Sequence, residues 1–397
     1  MRILQFSITS FPQTGKGTLY SDLAFALHQA GHSVTVLSLD AKADTTTDTP
    51  KPYRIVRVKA KQIFNTSKIK KALSFLLLPR ILKSAIKEYL KDDSFDLILF
   101  EAPPVTLYSA IKYAKKRFNA EAFLMQKDIF PQNAVDLGFF SKISIPYILF
   151  RYMEKQMLKT ATRIGCMSQG NIDYIRKHNP YLRSDDVVYF PNTQDVADFQ
   201  PPDRNAFEAT YSIPKDACIF IFSGNMGKPQ NIPFIQNALL RLKDTPRAFF
   251  IAIGSGTESK KLKKFIEENN IHNARFFEKL PRDEYERFAV NCDVGIVSLD
   301  PRFTIPNYPS KTLSYMNLSQ PILAVTDTNT DYRELIETQA KCGLWSDANK
   351  PEDFFKNVEF FISNPEARKQ MGKNGRTYLA ENFSLKKSIE IIENLFA

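Results

Sequence analysis

Two doubly wound α/β domains, each built on a mainly parallel sheet, are the fold class this sequence predicts. Three observations carry that prediction. At 397 residues the chain exceeds what one hydrophobic core usually holds, and 43% hydrophobic residues with 32 Phe supply two. Short apolar runs alternate with segments of helical period through residues 2–193. That rhythm stops over residues 195–217, where Pro201, Pro202 and Pro214 sit in a polar stretch, and restarts at Cys218. The expected division is 1–194 and 195–380, with an interdomain cleft, and a helix over 381–397 packing back on the first domain.

In the first half, residues 2–8 read as a strand and 19–31 as a helix, with Leu19, Leu23, Ala26, Leu27 and Ala30 on one face and Gly31 ending it. Residues 33–39 are the next strand, and a β-loop-α-β order requires parallel pairing. Gly15-Lys16-Gly17 lacks the third glycine of the dinucleotide fingerprint and the Gly-Lys-Ser/Thr of a Walker A loop. It is either a loop that lets a ligand approach the backbone or a plain turn. Residues 96–100 and 122–125 are buried strands followed by Glu101 and by Lys127-Asp128. Ligands of open α/β sheets sit beyond the carboxyl ends of strands, which groups Glu101, Lys127 and Asp128 near the cleft. Asp128 is either the base for an acceptor hydroxyl or a cap for the next helix. Residues 137–158, aromatic and basic, read as a core helix, with a second lipid-facing element as the alternative.

In the second half, strands at 218–222, 248–253, 274–277, 293–299 and 322–325 alternate with helices at 233–242, 258–269 and 281–291. Phosphate-compatible loops fall at three strand ends: 223–228, 254–256 and 309–312. Pro309 ends the preceding segment, Ser310 is a suitable N-cap, and a helix starts at Lys311. Lys311 with the hydroxyls of Ser310 and Thr312 would suit a diphosphate at a helix N-terminus; an ordinary capped helix is the competing reading. The 387–396 tail has Ile389, Ile391, Ile392, Leu395 and Phe396 at helical spacing.

The net charge of +11 is uneven. Residues 1–190 hold 28 Lys+Arg against 16 Asp+Glu. From Lys59 to Lys87 eight basic residues face no acid, around an apolar Ala72–Leu78 run. That combination suits an anionic membrane surface; a solvated helix face competes with it. No nucleic-acid recognition motif accompanies the charge, and aromatics are not interleaved as stacking platforms. Cys166, Cys218, Cys292 and Cys342 have no ligand spacing and fit buried thiols. The start reads as a strand, not a signal peptide, and no apolar run approaches spanning length. The expected location is therefore the cytoplasm, peripheral on the inner face of the plasma membrane.

The ordered set of motifs resembles the GT-B glycosyltransferases, specifically family 4. The matching pieces are Gly15-Lys16-Gly17 before Ala24–Val34, Ser223-Gly224-Asn225-Met226-Gly227-Lys228, Ile253-Gly254-Ser255-Gly256, Leu280-Pro281-Arg282, and Pro309-Ser310-Lys311 with Tyr315-Met316. The resemblance implies a retaining enzyme that moves a hexose or N-acetylhexosamine from a UDP-sugar to a lipid-linked or glycan acceptor in surface polysaccharide assembly. It implies no cofactor and no metal, with Lys228 and Lys311 stabilising the leaving diphosphate. Lys228, Asn225 and Gly227 would contact the donor phosphates, as would Ser310, Lys311, Thr312 and Leu313. Gly254 and Leu280 would lie near base and ribose, and Gly15 and Gly17 would let the donor approach the first domain. The family often carries two Glu eight positions apart; here Pro306 and Ser314 stand there. Asp331 or Glu334 could take over their role in holding the ribose or sugar. That departure also supports a second reading, a non-catalytic GT-B subunit that binds a sugar nucleotide or glycan within a homo-oligomer or a glycosyltransferase complex. An epimerase on the same scaffold is a third, less supported by the acids and His present.

Overall fold

The computed structural model describes residues 1–8, 11–12, 17–40, 46–59, 68–199 and 203–396, with backbone alone over 68–74. The chain forms two compact units, Met1–Asp195 with Ser384–Ala397, and Val196–Phe383.

The first unit is built on eight strands: β1 (Arg2–Ser7), β2 (Ser33–Asp40), β3 (Thr47–Thr49), β4 (Arg54–Lys59), β5 (Leu97–Ala102), β6 (Glu121–Gln126), β7 (Arg163–Cys166) and β8 (Val187–Tyr189). Their order is β3-β4-β2-β1-β5-β6-β7-β8, parallel throughout except that β3 runs against β4. All six residues of β5 are buried, the continuous apolar pattern of a strand covered on both faces. The chain lays down β2 and β4 on one side of β1, then returns to place β5 to β8 on the other. The carboxyl ends of β1 and β5 are therefore the topological switch point of this sheet.

The helix Leu19–Gln29 begins with a reciprocal capping box between Thr18 and Ser21. The helix Leu385–Phe396 packs beside it: Leu385 and Ile392 are buried in the same cluster as Leu23 and Leu27. The Phe396 ring lies 5.6 Å from that of Phe123. The Thr193 and Ser388 hydroxyls are 2.7 Å apart.

The second unit holds six parallel strands: β9 (Cys218–Asn225), β10 (Ala248–Ser255), β11 (Ala274–Glu278), β12 (Val294–Ser298), β13 (Ile322–Thr326) and β14 (Gly343–Asp347). The order β11-β10-β9-β12-β13-β14 puts the switch point between β9 and β12.

Two expectations are corrected here. The rhythm does not stop over all of residues 195–217: the break falls at Asp195/Val196, and Arg204–Tyr211 is a helix capped by Asp203. Phe207 and Tyr211, one turn apart, face Phe288 and Phe277, an apolar pair that the surrounding polar residues and prolines hide. The 137–158 segment is not a core helix. It overlaps the helix Ile145–Thr160, which buries Glu154, Met157, Leu158 and Thr160 and exposes much of its apolar N-terminal half.

Candidate functional site

At the second unit's switch point β9 and β12 pair only through Phe220–Val294 and Ile221–Gly295, and then part. Backbone groups in such a gap need other partners. Tyr315, on the helix Lys311–Asn317, supplies them. Its ring lies on Gly295, where an added Cβ would come within 2.3 Å of it. Its hydroxyl sits 3.2 Å from the Ile221 carbonyl and 3.3 Å from that of Ile296, and accepts from the Ser223 N–H at 3.2 Å. The Ser223 hydroxyl is also 2.9 Å from that of Tyr285, whose other partner is Ser314. This network fixes the helix against the end of β9.

Lys311 is brought to that end as a result. Its ammonium donates to Gln230 Oε1 at 2.6 Å and lies 4.3 Å over the Phe222 ring. Burial lowers its pKa to about 7, and no carboxylate among the described residues counters that effect. A cation held in such surroundings without an anion is poised to accept one. Gly224 turns the chain above it at φ +103, in the region that favours glycine, with its Cα side facing Lys311 Cε.

The two glycine loops run side by side. Gly254 pairs with Gly224 in register, and a Cβ on Gly254 would sit 2.0 Å from the Gly224 carbonyl oxygen. Gly256, at φ +149, backs onto Met226 O, which accepts from the Glu258 N–H at 2.9 Å. Asn225 is exposed beside Gly256, and Gly227 is buried. Lys228 is exposed and opens the 3-10 turn Lys228–Gln230, the turn that also presents Lys311's partner. The Asp300 N–H donates to Pro229 O at 3.0 Å and the Asp300 carboxylate is held by Arg302, tying the next loop to the same turn.

Sequence expectations fare unevenly at the helix start. Ser310 does not cap with its side chain: it is exposed and already helical, at φ −61 and ψ −22. The Thr312 and Leu313 amides donate to Pro309 O and Ser310 O in a tight turn. The Thr312 hydroxyl is buried 2.6 Å from that of Tyr332, and the Leu313 side chain is in the core. The Thr312 hydroxyl is thus engaged within the protein, against the expectation that it stands free for a phosphate. Leu280 is half-buried just beyond β11, and Glu334 is exposed at the first residue of the π-helical turn Glu334–Gln339.

In the first unit, Glu101, Lys127 and Asp128 gather at the ends of β5 and β6. Glu101 is 4% exposed, and burial raises its pKa to about 7 despite hydrogen bonds from Tyr20 and the Ile8 N–H. Lys127 is lowered to about 8 by burial, partly offset by Glu101. Asp128 is raised by burial alone. It does not cap the next helix, whose N-cap is Pro131. Gly17 is at φ +131 and its N–H donates to Asp22 at 2.9 Å; Gly15 lies outside the described residues. Tyr20 and Gln230 carry no sequence signal of their own. Tyr20 is only the position after Leu19 on the first helix, and Gln230 becomes visible only through Lys311.

Residues 203–378 match the family model described as "Glycosyl transferases group 1". The chain is 27% identical over 245 residues to a probable glycosyltransferase, WbjE, of Pseudomonas aeruginosa, covering 61% of this chain and 60% of that one. It is 25% identical over 160 residues to a putative colanic acid biosynthesis glycosyl transferase, WcaI, of Escherichia coli K12, covering 40% and 39%. The chain thus spans less than two thirds of both relatives. Among solved structures, Anabaena HepE in complex with UDP and glucose superposes with a TM-score of 0.73 at 13% identity, over 100% of this chain and 99% of that one. Likeness over the full chain shows the GT-B fold.

Proposed function

We propose that this chain transfers a hexose or N-acetylhexosamine from a UDP-sugar to a lipid-linked or glycan acceptor, with retention of anomeric configuration, in bacterial surface polysaccharide assembly. The observation that carries the reading is the half-buried Lys311 ammonium at the β9/β12 switch point, which among the described residues is held by the Gln230 amide oxygen and by no carboxylate. A sugar-nucleotide diphosphate supplies the missing anion. As the sugar–phosphate bond breaks, negative charge grows on the leaving oxygen, and Lys311 with Lys228 stabilises that charge more than the ground state. These two cations take the place of a metal. Gly224, Asn225, Gly227 and Gly254 shape the bed for the donor. Leu280 borders the base and ribose, Ser310 borders the phosphate, and Glu334 is the carboxylate offered to the sugar or ribose. In the first unit Asp128, with Glu101 beside it, receives the acceptor hydroxyl. The names of WbjE and WcaI support the polysaccharide setting, and the HepE complex supports UDP as the nucleotide.

Lys311→Met keeps the length and removes the charge. It should cut UDP release from the productive UDP-sugar by about 100-fold or more, with the melting temperature of the free protein little changed. Unchanged turnover removes Lys311 from the chemistry, and a panel of nucleotide sugars that leaves the melting temperature unmoved removes the donor site. Turnover unaffected by EDTA is expected.

A second reading has its own observation. Ser314 occupies a position where the resembling family often has Glu, and its hydroxyl is engaged by Tyr285 in the network behind the site. A subunit that binds UDP-sugar and transfers nothing would keep the thermal shift and show no UDP release with any acceptor fraction.

A further inference from the structure

The helix Ile145–Thr160 has two unlike faces. Inward, Phe150 meets Phe130 at 5.1 Å and Phe140 at 6.2 Å, and Met157 and Leu158 are buried. Outward, Ile145 is 81%, Ile148 61%, Leu149 40% and Tyr152 55% exposed. Positions i, i+3, i+4 and i+7 form one stripe. The segment leading into the helix adds Phe139 at 59% and Ile143 at 88%. Single exposed apolar side chains are ordinary; six on one stretch mark a contact surface.

The exposed charges within this stretch have one sign. Lys142 precedes it, and Lys155 and Lys159 continue the same helical line two turns further on, all exposed. From residue 137 to 160 the only acid is Glu154, buried against Arg151. No helix among the described residues is long and apolar enough to cross a membrane. An amphipathic helix with a lysine border lies in the plane of an anionic interface, with its apolar side chains below the headgroups.

We propose that residues 139–152, bordered by Lys142, Lys155 and Lys159, are the face by which the first unit lies on an anionic lipid bilayer. Charge selects this occupant over a second copy of the chain. A two-fold contact through the stripe would bring its lysine borders against one another, whereas anionic headgroups meet them with opposite charge. The surface differs from the 59–87 patch of the sequence. There, residues 60–67 lie outside the described residues, only backbone is given for 68–74, and Leu76 and Leu77 are 43% and 48% exposed. The helix Lys68–Tyr89 of that patch and the helix Ile145–Thr160 both pack on the turn Val105–Leu107, so the two patches belong to one layer of helices.

Docking is separable from sugar transfer and is tested without it. The full chain is floated with vesicles of phosphatidylcholine alone or mixed equally with phosphatidylglycerol. The wild type should partition to the mixed vesicles, and less so as salt rises. Ile145→Asp/Ile148→Asp should lower that partition by at least about tenfold. Lys142→Ala/Lys155→Ala should lower it by about fivefold for each lysine. None of these residues is in the donor or acceptor site, so the folding control is the far-UV circular dichroism and the thermal melt of the free protein, both of which should match the wild type. Equal flotation of the wild type and the Ile145/Ile148 variant overturns the proposal. So does absence of flotation with mixed vesicles, and so does a wild-type dimer in solution that the Asp pair makes monomeric without any lipid binding.

Discussion

Lys311 and Glu101 are each moved toward neutrality by burial, from opposite sides. For Lys311 the linkage is to ligand. At about pH 8 the free protein holds the amine largely neutral, and a bound diphosphate recharges it, so UDP-sugar binding should take up a proton. Calorimetry in buffers of different ionisation enthalpy should show that uptake at about pH 8 and its disappearance at about pH 5.5, where the amine is already charged. For Glu101 the linkage is to folding. Its folded pKa is raised from 4.5 to about 7, so the native state keeps a proton that the unfolded chain has lost. The associated stability is present below about pH 4.5 and is lost as pH rises through about 7, by roughly 3 kcal/mol. Glu101→Gln should flatten that slope in denaturant melts; an identical slope in the variant refutes the assignment. Both side chains could be singled out in the sequence because they follow readable strand or Pro-Ser signals. The groups that surround them, Phe222, Gln230 and Tyr20, come from segments far away along the chain and could not be read.

At the scale of elements, the second sheet depends on two close approaches. Gly254→Ala would place a methyl 2.0 Å from the Gly224 carbonyl oxygen, forcing β9 and β10 apart at the donor bed. The expected loss is about 1–3 kcal/mol, read as a lower melting temperature together with a lost UDP-sugar shift. Tyr315→Phe keeps the ring on Gly295 but leaves the Ser223 N–H and two carbonyls short of a partner. It should cost about 1–3 kcal/mol; a melting temperature equal to wild type means that these groups find other partners. The strands, the glycine loops and the helix at Lys311 were legible because short apolar runs and turn residues are local signals. The Ser310 cap was misread because a serine before a helix is only a local preference. Here Tyr315 anchors the helix from its far end, and the chain is already helical at Ser310. The outer stripe of Ile145–Thr160 was misread for a related reason: apolar periodicity says that a face exists, not whether protein covers it.

At the scale of the whole molecule, residues 384–396 belong with the first unit although the entire second unit separates them from it in sequence. The helical tail was legible from Ile389, Ile392 and Leu395, because its period is local. Its contacts, such as Phe396 against Phe123 and Ser388 against Thr193, were not, because they span more than 190 residues. Truncation before Ser384 should uncover Leu23, Leu27 and Phe123, and lower the thermal stability of the first unit while the UDP-sugar shift of the second survives. Because this helix leaves the ribosome only after all of the second sheet has been made, the nascent first sheet waits with one flank bare. During that interval Val196–Phe383 can reach its own folded form first, and the segment translated earliest is sealed last.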